Sequence, residues 1–145
     1  MAQRIAETHW AGDLTDGKGT TTLVSSGLGT YDVSFPARSA DAANGVTSPE
    51  ELLGAAHSAC YSMQFSAMLT QAGGTVESLT TKAEVGFGPD PAGGFRVTGI
   101  KLTVRGTVPG VTAEQFHEIA EQAKTGCPVS KALTGVEITL DAALA

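Results

Sequence analysis

The stretch that decides the fold covers residues 47–74 and reads TSPEELLGAAHSACYSMQFSAMLTQAGG. Its first residues predict the start of a helix, because Ser48 can act as the cap, Pro49 suits the first turn and Glu51 completes a capping box. The pair Gly73-Gly74 predicts the end of that helix, since glycine readily takes the left-handed conformation that terminates helices. The chain is therefore predicted to be built around one long helix.

Apolar and small residues cover most of the circumference of this helix. One row of them recurs at steps of three and four: Leu52, Ala56, Ala59, Met63 and Ala67. Because the neighbouring angles are apolar as well, we expect the helix to be buried on several sides. Cys60 then lies in the middle of the helix and inside the protein.

The size and composition of the chain favour a single globular domain over residues 1–145. Its 145 residues are 41% hydrophobic, and no linker divides them. Polar residues interrupt the apolar run of the central helix, which argues against a membrane span. The amino-terminal sequence MAQRIAETHW lacks the apolar core of a secretion signal, so we expect a cytoplasmic location in which two cysteines stay reduced.

The charge balance disfavours nucleic acid as a partner. The formal net charge is −6 and the sequence pI is about 4.9. Lysine and arginine residues are scattered along the chain and form no basic cluster. The sequence therefore predicts no positively charged surface that would bind the phosphates of a nucleic acid.

Strand patterns flank the central helix. Before it, alternation and turn residues predict a hairpin and a third strand, over residues 2–10, 19–26 and 31–35. The small and polar segment 36–46 is predicted to be a loop. After the central helix we expect a second hairpin, an amphipathic helix, a short helix and a last strand, over residues 76–87 and 95–108, 112–126, 128–133 and 136–140. This order predicts an α+β fold with mainly antiparallel sheet.

Both cysteines of the chain stand in unusual positions. Cys127 heads the short helix, where unbonded N–H groups and the helix dipole favour a thiolate and lower the pKa. Cys60 has no such help, so a chemical role for it requires a nearby cation, and Arg38 in the preceding loop is the candidate. Glu50 starts the same helix about 15 Å before Cys60, so an arginine paired with Glu50 would have to bridge the two.

A purely structural interpretation of the cysteines stays open at this point. Free cysteine is among the most buried residue types, and Cys60 between Ala59 and Tyr61 also fits a small core residue. His57, one helical turn before Cys60, could be a general base, but a packed histidine is the commoner case and Arg38 already accounts for a thiolate. The other histidines, His9 and His117, lack partners at metal spacing, and no glycine fingerprint indicates a nucleotide, so we predict neither a metal nor a cofactor.

Two long motifs carry a family resemblance, and each contains one of the two cysteines. The sequence TSPEELLGAAHSACYSM at residues 47–63 and the sequence GCPVSKAL at residues 126–133 resemble the OsmC/Ohr family of osmotically inducible and organic-hydroperoxide-resistance proteins. The likeness extends from HWAGDLTDGKGT near the amino terminus to EITLD near the carboxyl end. Arg38 follows the third strand, which favours the OsmC branch over the Ohr branch. The family more usually has phenylalanine directly after this cysteine. Tyr61 departs from that pattern, and the departure affects the expected polarity of the pocket rather than the thiol chemistry.

The resemblance implies a cysteine-based peroxidase in oxidative or osmotic stress defence. In that mechanism the Cys60 thiolate attacks an organic hydroperoxide and becomes a sulfenic acid, and Cys127 then forms a disulfide with it. Arg38 would hold Cys60 as a thiolate and orient the peroxide, while Glu50 would hold Arg38. Apolar groups around the helix, Met63 and Phe65 among them, would favour organic hydroperoxides over hydrogen peroxide.

The resemblance also implies an assembly and a reductant. Family members form intertwined homodimers, with antiparallel sheets wrapped around the long central helix and two sites at the shared interface. An external dithiol of the lipoyl type would reduce the disulfide.

Two other functions remain as alternatives. A binding or sensing module would hold an apolar ligand or report peroxide without turnover. A purely structural dimer would keep both thiols in its core and lose no activity when they are replaced.

Overall fold

A computed structural model describes residues 1–145 and contains six strands and four helices. In chain order they are β1 (Glu7–Ala11), β2 (Lys18–Thr22), β3 (Thr30–Val33), α1 (Phe35–Ser39), α2 (Pro49–Gln71), β4 (Ser78–Pro89), β5 (Phe95–Thr107), α3 (Ala113–Gly126), α4 (Pro128–Ala132) and β6 (Ile138–Leu144). The predicted α+β class is confirmed. None of the helices combines the length and the apolar character that crossing a bilayer requires. The chain falls into two compact units, Met1–Leu52 and Leu53–Ala145.

The first unit contains an antiparallel sheet in the order β1-β2-β3. The prediction of a loop over residues 36–46 is wrong at its start, because α1 begins at Phe35. Ser34 caps this helix by accepting a hydrogen bond from the Ala37 N–H at 3.3 Å, and Pro36 supplies the fixed backbone angle of a first turn. Arg38 therefore lies in the last turn of a short helix rather than in a loop.

The first unit has no apolar core in this chain. Of residues 1–52, only Gly17, Gly19 and Glu50 are buried. Large apolar side chains are exposed instead, among them Ile5, Trp10, Leu14, Val24, Leu28 and Tyr31.

The second unit contains a sheet in the order β4-β5-β6. Strands β4 and β5 form the predicted antiparallel hairpin, with a bulge between Gly86 and Phe87. Strand β6 runs parallel to β5 and forms the one parallel pair in a fold that was predicted to be mainly antiparallel. The connection between β5 and β6 explains this pairing. It contains the helices α3 and α4 and is long enough to return the chain to the end of the sheet where β5 begins, as parallel pairing requires.

One face of α2 supplies much of the core of the second unit. The buried row consists of Gly54, His57, Tyr61, Phe65 and Leu69. Phe65 meets Phe116 of α3 edge to face, with ring centroids 4.9 Å apart. Aromatic rings bury far more apolar area than alanines, so this row, rather than the alanine row, turns inward.

The prediction that α2 is buried on several sides is therefore wrong for the single chain. Four members of the predicted row are exposed: Ala56, Ala59, Met63 and Ala67. The Met63 residue is 73% exposed to solvent. Cys60 lies between the two rows and is partly exposed.

The helices that follow the sheet begin where the sequence predicts. Thr112 and Gln115 form a complete capping box at the start of α3. Helix α4 begins at Pro128, directly after α3, and Cys127 is both the last cap of α3 and the first cap of α4. No linker separates the two helices, which fixes the direction of Cys127.

We predict that Phe65→Ala lowers the free energy of unfolding by about 3–5 kcal/mol, because it empties a fully buried site between two aromatic rings. The matched control is Phe95→Ala, which removes a ring that is 57% exposed and should cost about 1 kcal/mol or less. Denaturant unfolding of the two variants measures the difference. Equal losses would contradict this description of the core.

Candidate active site

The structure brings together the two cysteines, which are 67 residues apart in the chain. Cys60 lies in the middle of α2, and Cys127 lies at the junction of α3 and α4. Their Sγ atoms are 3.2 Å apart, and both are free thiols. The fold therefore holds two reduced sulfurs in direct contact.

A close approach of two helices makes this contact. The Cys127 N–H donates to the Ala123 carbonyl at 2.9 Å, and its extended backbone turns the chain into α4. A Cβ atom at Gly126 would lie only 3.3 Å from Nε2 of Gln64, one turn beyond Cys60 on α2. A side chain at residue 126 would therefore press on the flexible end of Gln64, so glycine eases the close packing of the junction against α2.

The two thiols differ in access. Cys60 is partly exposed, whereas Cys127 is completely buried. Cys60 is therefore the member of the pair that is in contact with solvent.

The two thiols also differ in acidity, in the opposite sense. Burial raises the pKa of Cys60, the Val129 N–H opposes this, and the neighbouring Cys127 raises the pKa further. Burial also acts to raise the pKa of Cys127, but hydrogen bonding from Ser130, Cys60 and Val129 outweighs it and the pKa is lowered. The Cys127 sulfur makes no ideal capping bond, yet the helix start stabilises its thiolate as the sequence predicts.

Among residues 53–145, no cation is among the groups that shift the pKa of Cys60. The requirement for a cation at this thiol, which the sequence already indicated, therefore stands. Its predicted source is Arg38.

Arg38 and Glu50 form a two-pronged ion pair within the first unit. Arg38 Nη2 lies 2.6 Å from Oε1 of Glu50, and Arg38 Nε lies 3.1 and 3.2 Å from the two carboxylate oxygens. The Glu50 side chain is only 9% exposed and that of Arg38 is 33% exposed. A carboxylate held along one edge fixes the plane of the guanidinium, so Glu50 orients Arg38.

The first unit also contains an apolar cavity of about 450 Å³. Its lining is mostly apolar, with Arg38 as the one ionisable side chain: Thr8, Trp10, Leu14, Thr21, Val33, Ser34, Phe35, Arg38, Pro49 and Leu52. Phe65 lies in the core rather than in a pocket wall, because its side chain is fully buried. Met63 faces solvent in the single chain, so its place in a pocket shared between two subunits stays a prediction.

Two further polar residues lie beside the thiols. Nε2 of His57 is 2.8 Å from Oγ of Ser130, and both side chains are buried. Burial lowers the pKa of His57, which keeps the ring neutral near pH 7. Ser130 was not predicted as a site residue. Its position three residues after a capping cysteine could have indicated it, because a cap and the third residue of a helix lie close together.

Tyr61 belongs to the core. Its hydroxyl donates to the Ala120 carbonyl at 3.1 Å, which satisfies the buried oxygen. Burial raises its pKa, and the charges of Glu121 and Cys127 add to that effect. The departure at Tyr61 thus changes a contact between α2 and α3.

No group of three or more His, Cys, Asp or Glu side chains is arranged to hold a metal ion.

Comparison with known proteins assigns the family. A family profile described as OsmC-like protein matches residues 42–141. The chain is 45% identical over 135 residues to Peroxiredoxin OsmC of Escherichia coli (strain K12), and the aligned region covers 93% of this chain and 92% of that protein. Peroxiredoxin OsmC of Shigella flexneri gives the same identity and the same coverage.

Solved structures agree with this assignment. An organic hydroperoxide resistance protein from Elizabethkingia anophelis matches with a TM-score of 0.77 and 26% identity over 99% of both chains. The organic hydroperoxide resistance protein OhrB of Bacillus subtilis shares the fold, with a TM-score of 0.74, 24% identity, and coverage of 95% of this chain and 97% of that one. The α+β arrangement, the paired cysteines and the extent of the sequence match lead to one conclusion: the chain belongs to the OsmC family.

Proposed function

We propose that this protein reduces organic hydroperoxides, with Cys60 as the thiol that attacks the peroxide and Cys127 as the thiol that resolves the product. The enzyme class follows from the family: the chain is a cysteine-based peroxidase, given its 45% identity to Peroxiredoxin OsmC over most of both chains. The observation that carries the proposal is the contact of the two sulfurs at 3.2 Å.

The assignment of roles rests on access. A peroxide arrives from solvent, so the attacking sulfur must be reachable, and Cys60 is the partly exposed member of the pair. The resolving sulfur needs to reach only its partner, and Cys127 is fully buried beside it. The greater acidity of Cys127 also suits this second role, because its thiolate attacks the oxidised partner.

The reaction then runs in two balanced steps. The Cys60 thiolate attacks one peroxide oxygen, the O–O bond breaks, and the alkoxide leaves with a proton as an alcohol while Cys60 becomes a sulfenic acid. The Cys127 thiolate next attacks the Cys60 sulfur, and hydroxide leaves with a proton as water. To form the disulfide, the sulfurs must approach from 3.2 Å to about 2.05 Å.

Arg38 would supply the missing charge at Cys60. Its predicted role is to hold that sulfur as a thiolate and to orient the O–O bond, and Glu50 would keep the guanidinium in position. The two-pronged contact supports this arrangement, because a planar guanidinium can serve a carboxylate along one edge and another acceptor along the next.

The apolar cavity supports an organic substrate. Its volume of about 450 Å³ lies within the range of small-molecule sites, and Arg38 stands in its otherwise apolar wall. An alkyl chain would gain from leaving water there, whereas hydrogen peroxide has no such group. The same cavity favours the second candidate function, an apolar-ligand carrier or peroxide sensor that does not turn over.

A homodimer with both sites at the shared interface would cover the exposed apolar surfaces. Residues 1–52 bury no apolar side chain, and the row Ala56, Ala59, Met63 and Ala67 of α2 is exposed. Both observations are unusual for a stable monomer and favour a second copy as the cover. Residues 1–145 would then act as one OsmC-like domain in each subunit.

The reductant would be an external dithiol of the lipoyl type, as the resemblance implies. Such a dithiol opens the Cys60–Cys127 disulfide through a mixed disulfide and closes on itself. The predicted cytoplasmic location would keep both thiols reduced between turnovers.

We predict that Cys60→Ser abolishes peroxide consumption, whereas Cys127→Ser completes the first step once and stops at a sulfenic acid. Stopped-flow assays of reduced protein with an organic hydroperoxide, and with hydrogen peroxide for comparison, measure both steps. The organic substrate should react faster, and a lipoyl dithiol should sustain turnover in the unaltered protein. Ligand uptake without any turnover would favour the carrier or sensor instead.

Arg38→Ala should slow the first step by roughly ten- to hundredfold, because it removes a charge-assisted contact to the thiolate. Arg38→Lys should recover only part of the rate, since an ammonium cannot contact a carboxylate and a sulfur in one plane. Arg105→Ala is the matched control, as it breaks an exposed ion pair with Asp141. An unchanged rate in Arg38→Ala would remove the arginine from the mechanism.

The dimer is tested by placing a charge in the exposed row of α2. Met63→Glu should weaken self-association by at least about tenfold, because a carboxylate would be buried there without a partner. Gln122→Glu adds the same charge to an exposed position of α3 and serves as the control. Sedimentation measures the association, and a monomeric unaltered protein at micromolar concentration would refute the dimer.

A further inference from the structure

A buried polar pair lies behind the resolving thiol, and the two-step mechanism leaves it without a role. His57 on α2 and Ser130 on α4 are 73 residues apart, yet Nε2 and Oγ are 2.8 Å apart. His57 is 0% exposed and Ser130 is 6% exposed. Burying two polar side chains costs stability unless their hydrogen bonding compensates, so their position calls for an explanation.

Ser130 faces Cys127 because of the way α4 begins. Cys127 is the cap of this helix, and Ser130 is its third helical residue. At a helix start, the side chain of the cap and the third residue lie on the same side, within reach of one another. The Ser130 hydroxyl, which contacts the His57 ring, is therefore placed within reach of the Cys127 thiol, and its side chain influences that thiol.

The surroundings of the two His57 ring nitrogens indicate which of them donates a hydrogen bond. Its Nδ1 is buried and has no partner. A buried donor without an acceptor is costlier than a buried acceptor without a donor, which favours the tautomer with the hydrogen on Nε2. In that tautomer His57 donates to Ser130 Oγ, and the Ser130 hydrogen is left to point elsewhere.

We propose that Ser130 and His57 are positioning residues for the resolving step: the Ser130 hydroxyl donates to the Cys127 thiolate, and His57 holds that hydroxyl in place. This inference rests on the proposed role of Cys127 as the resolving thiol. His57 acts as a neutral donor through Ser130 and takes no proton from either cysteine.

The complete burial of Cys127 explains why such a pair is needed. Water cannot solvate a thiolate that is 0% exposed, so the protein must supply the donors. Helix α4 offers the N–H groups of Val129 and Ser130, and the Ser130 hydroxyl adds one more. Among titratable groups, Cys60 and Tyr61 on α2 interact with Cys127, and the raised pKa of Tyr61 keeps that residue neutral.

The direct test separates the acidity of Cys127 from peroxidase activity. In a Cys60→Ser background, the ultraviolet absorbance of the thiolate reports the ionisation of Cys127 alone. Adding Ser130→Ala or His57→Leu should raise its midpoint pH, and adding His57→Gln should restore it, because the glutamine amide can donate to Ser130. Ser58→Ala is the control, since that hydroxyl bonds to the Ala55 carbonyl.

A kinetic test uses the chain with both cysteines. Ser130→Ala and His57→Leu should slow disulfide formation after the sulfenic acid by roughly ten- to hundredfold, the effect of losing one hydrogen bond to a charged group. The preceding attack on the peroxide should keep its rate. Nitrogen NMR of His57 should show the hydrogen on Nε2, which tests the pair even if a variant fails to fold.

Two results would overturn the inference. One is a Cys127 midpoint and a disulfide-formation rate that stay unchanged in folded Ser130→Ala and His57→Leu variants. The other is a His57 hydrogen on Nδ1. Failure of the unaltered protein to consume peroxide would sink the proposed function, but the titration in the Cys60→Ser background would still test the hydrogen-bonded pair.

Discussion

The close approach of the α3–α4 junction to the middle of α2 is the constraint on which the thiol chemistry depends. It combines a helix that ends without a linker, a glycine packed against Gln64, and a proline that starts the next helix at once. The Phe65–Phe116 contact packs α2 against α3 and supports the same approach. Without it, two sulfurs that are 67 residues apart would have no reason to lie at 3.2 Å.

That geometry divides two properties that a single reactive cysteine would combine. The reachable sulfur, Cys60, is the less acidic one, and the acidic sulfur, Cys127, is buried. A peroxidase with two thiols can use this division, because only the attacking thiol must meet the substrate. The acidity that Cys60 lacks would then come from Arg38, while Cys127 is served by the donors of α4 and by Ser130.

Much of this arrangement could be predicted from the sequence, because it depends on local signals. The Ser48 cap of α2, the capping box of α3 and the short helix after Cys127 follow from such signals. The pairing of Arg38 with Glu50 was implied by the family resemblance rather than by a local pattern. Helix α1 was missed because it is a single turn with little periodicity. The inward row of α2 was misjudged because alanines and aromatics compete for the core, and only tertiary packing decides between them. The parallel pairing of β6 and the contact of His57 with Ser130 depend on distant segments, which no local pattern specifies.

In the proposed mechanism, access to solvent rather than intrinsic acidity selects the attacking sulfur. Reduced protein exposed to less than one equivalent of an organic hydroperoxide, and quenched early with a reagent that traps sulfenic acid, tests it directly by mass spectrometry. We predict that the trapped oxygen derivative is found on Cys60, with the Cys60–Cys127 disulfide as the later product. Initial trapping on Cys127 would contradict the division of roles between the two thiols.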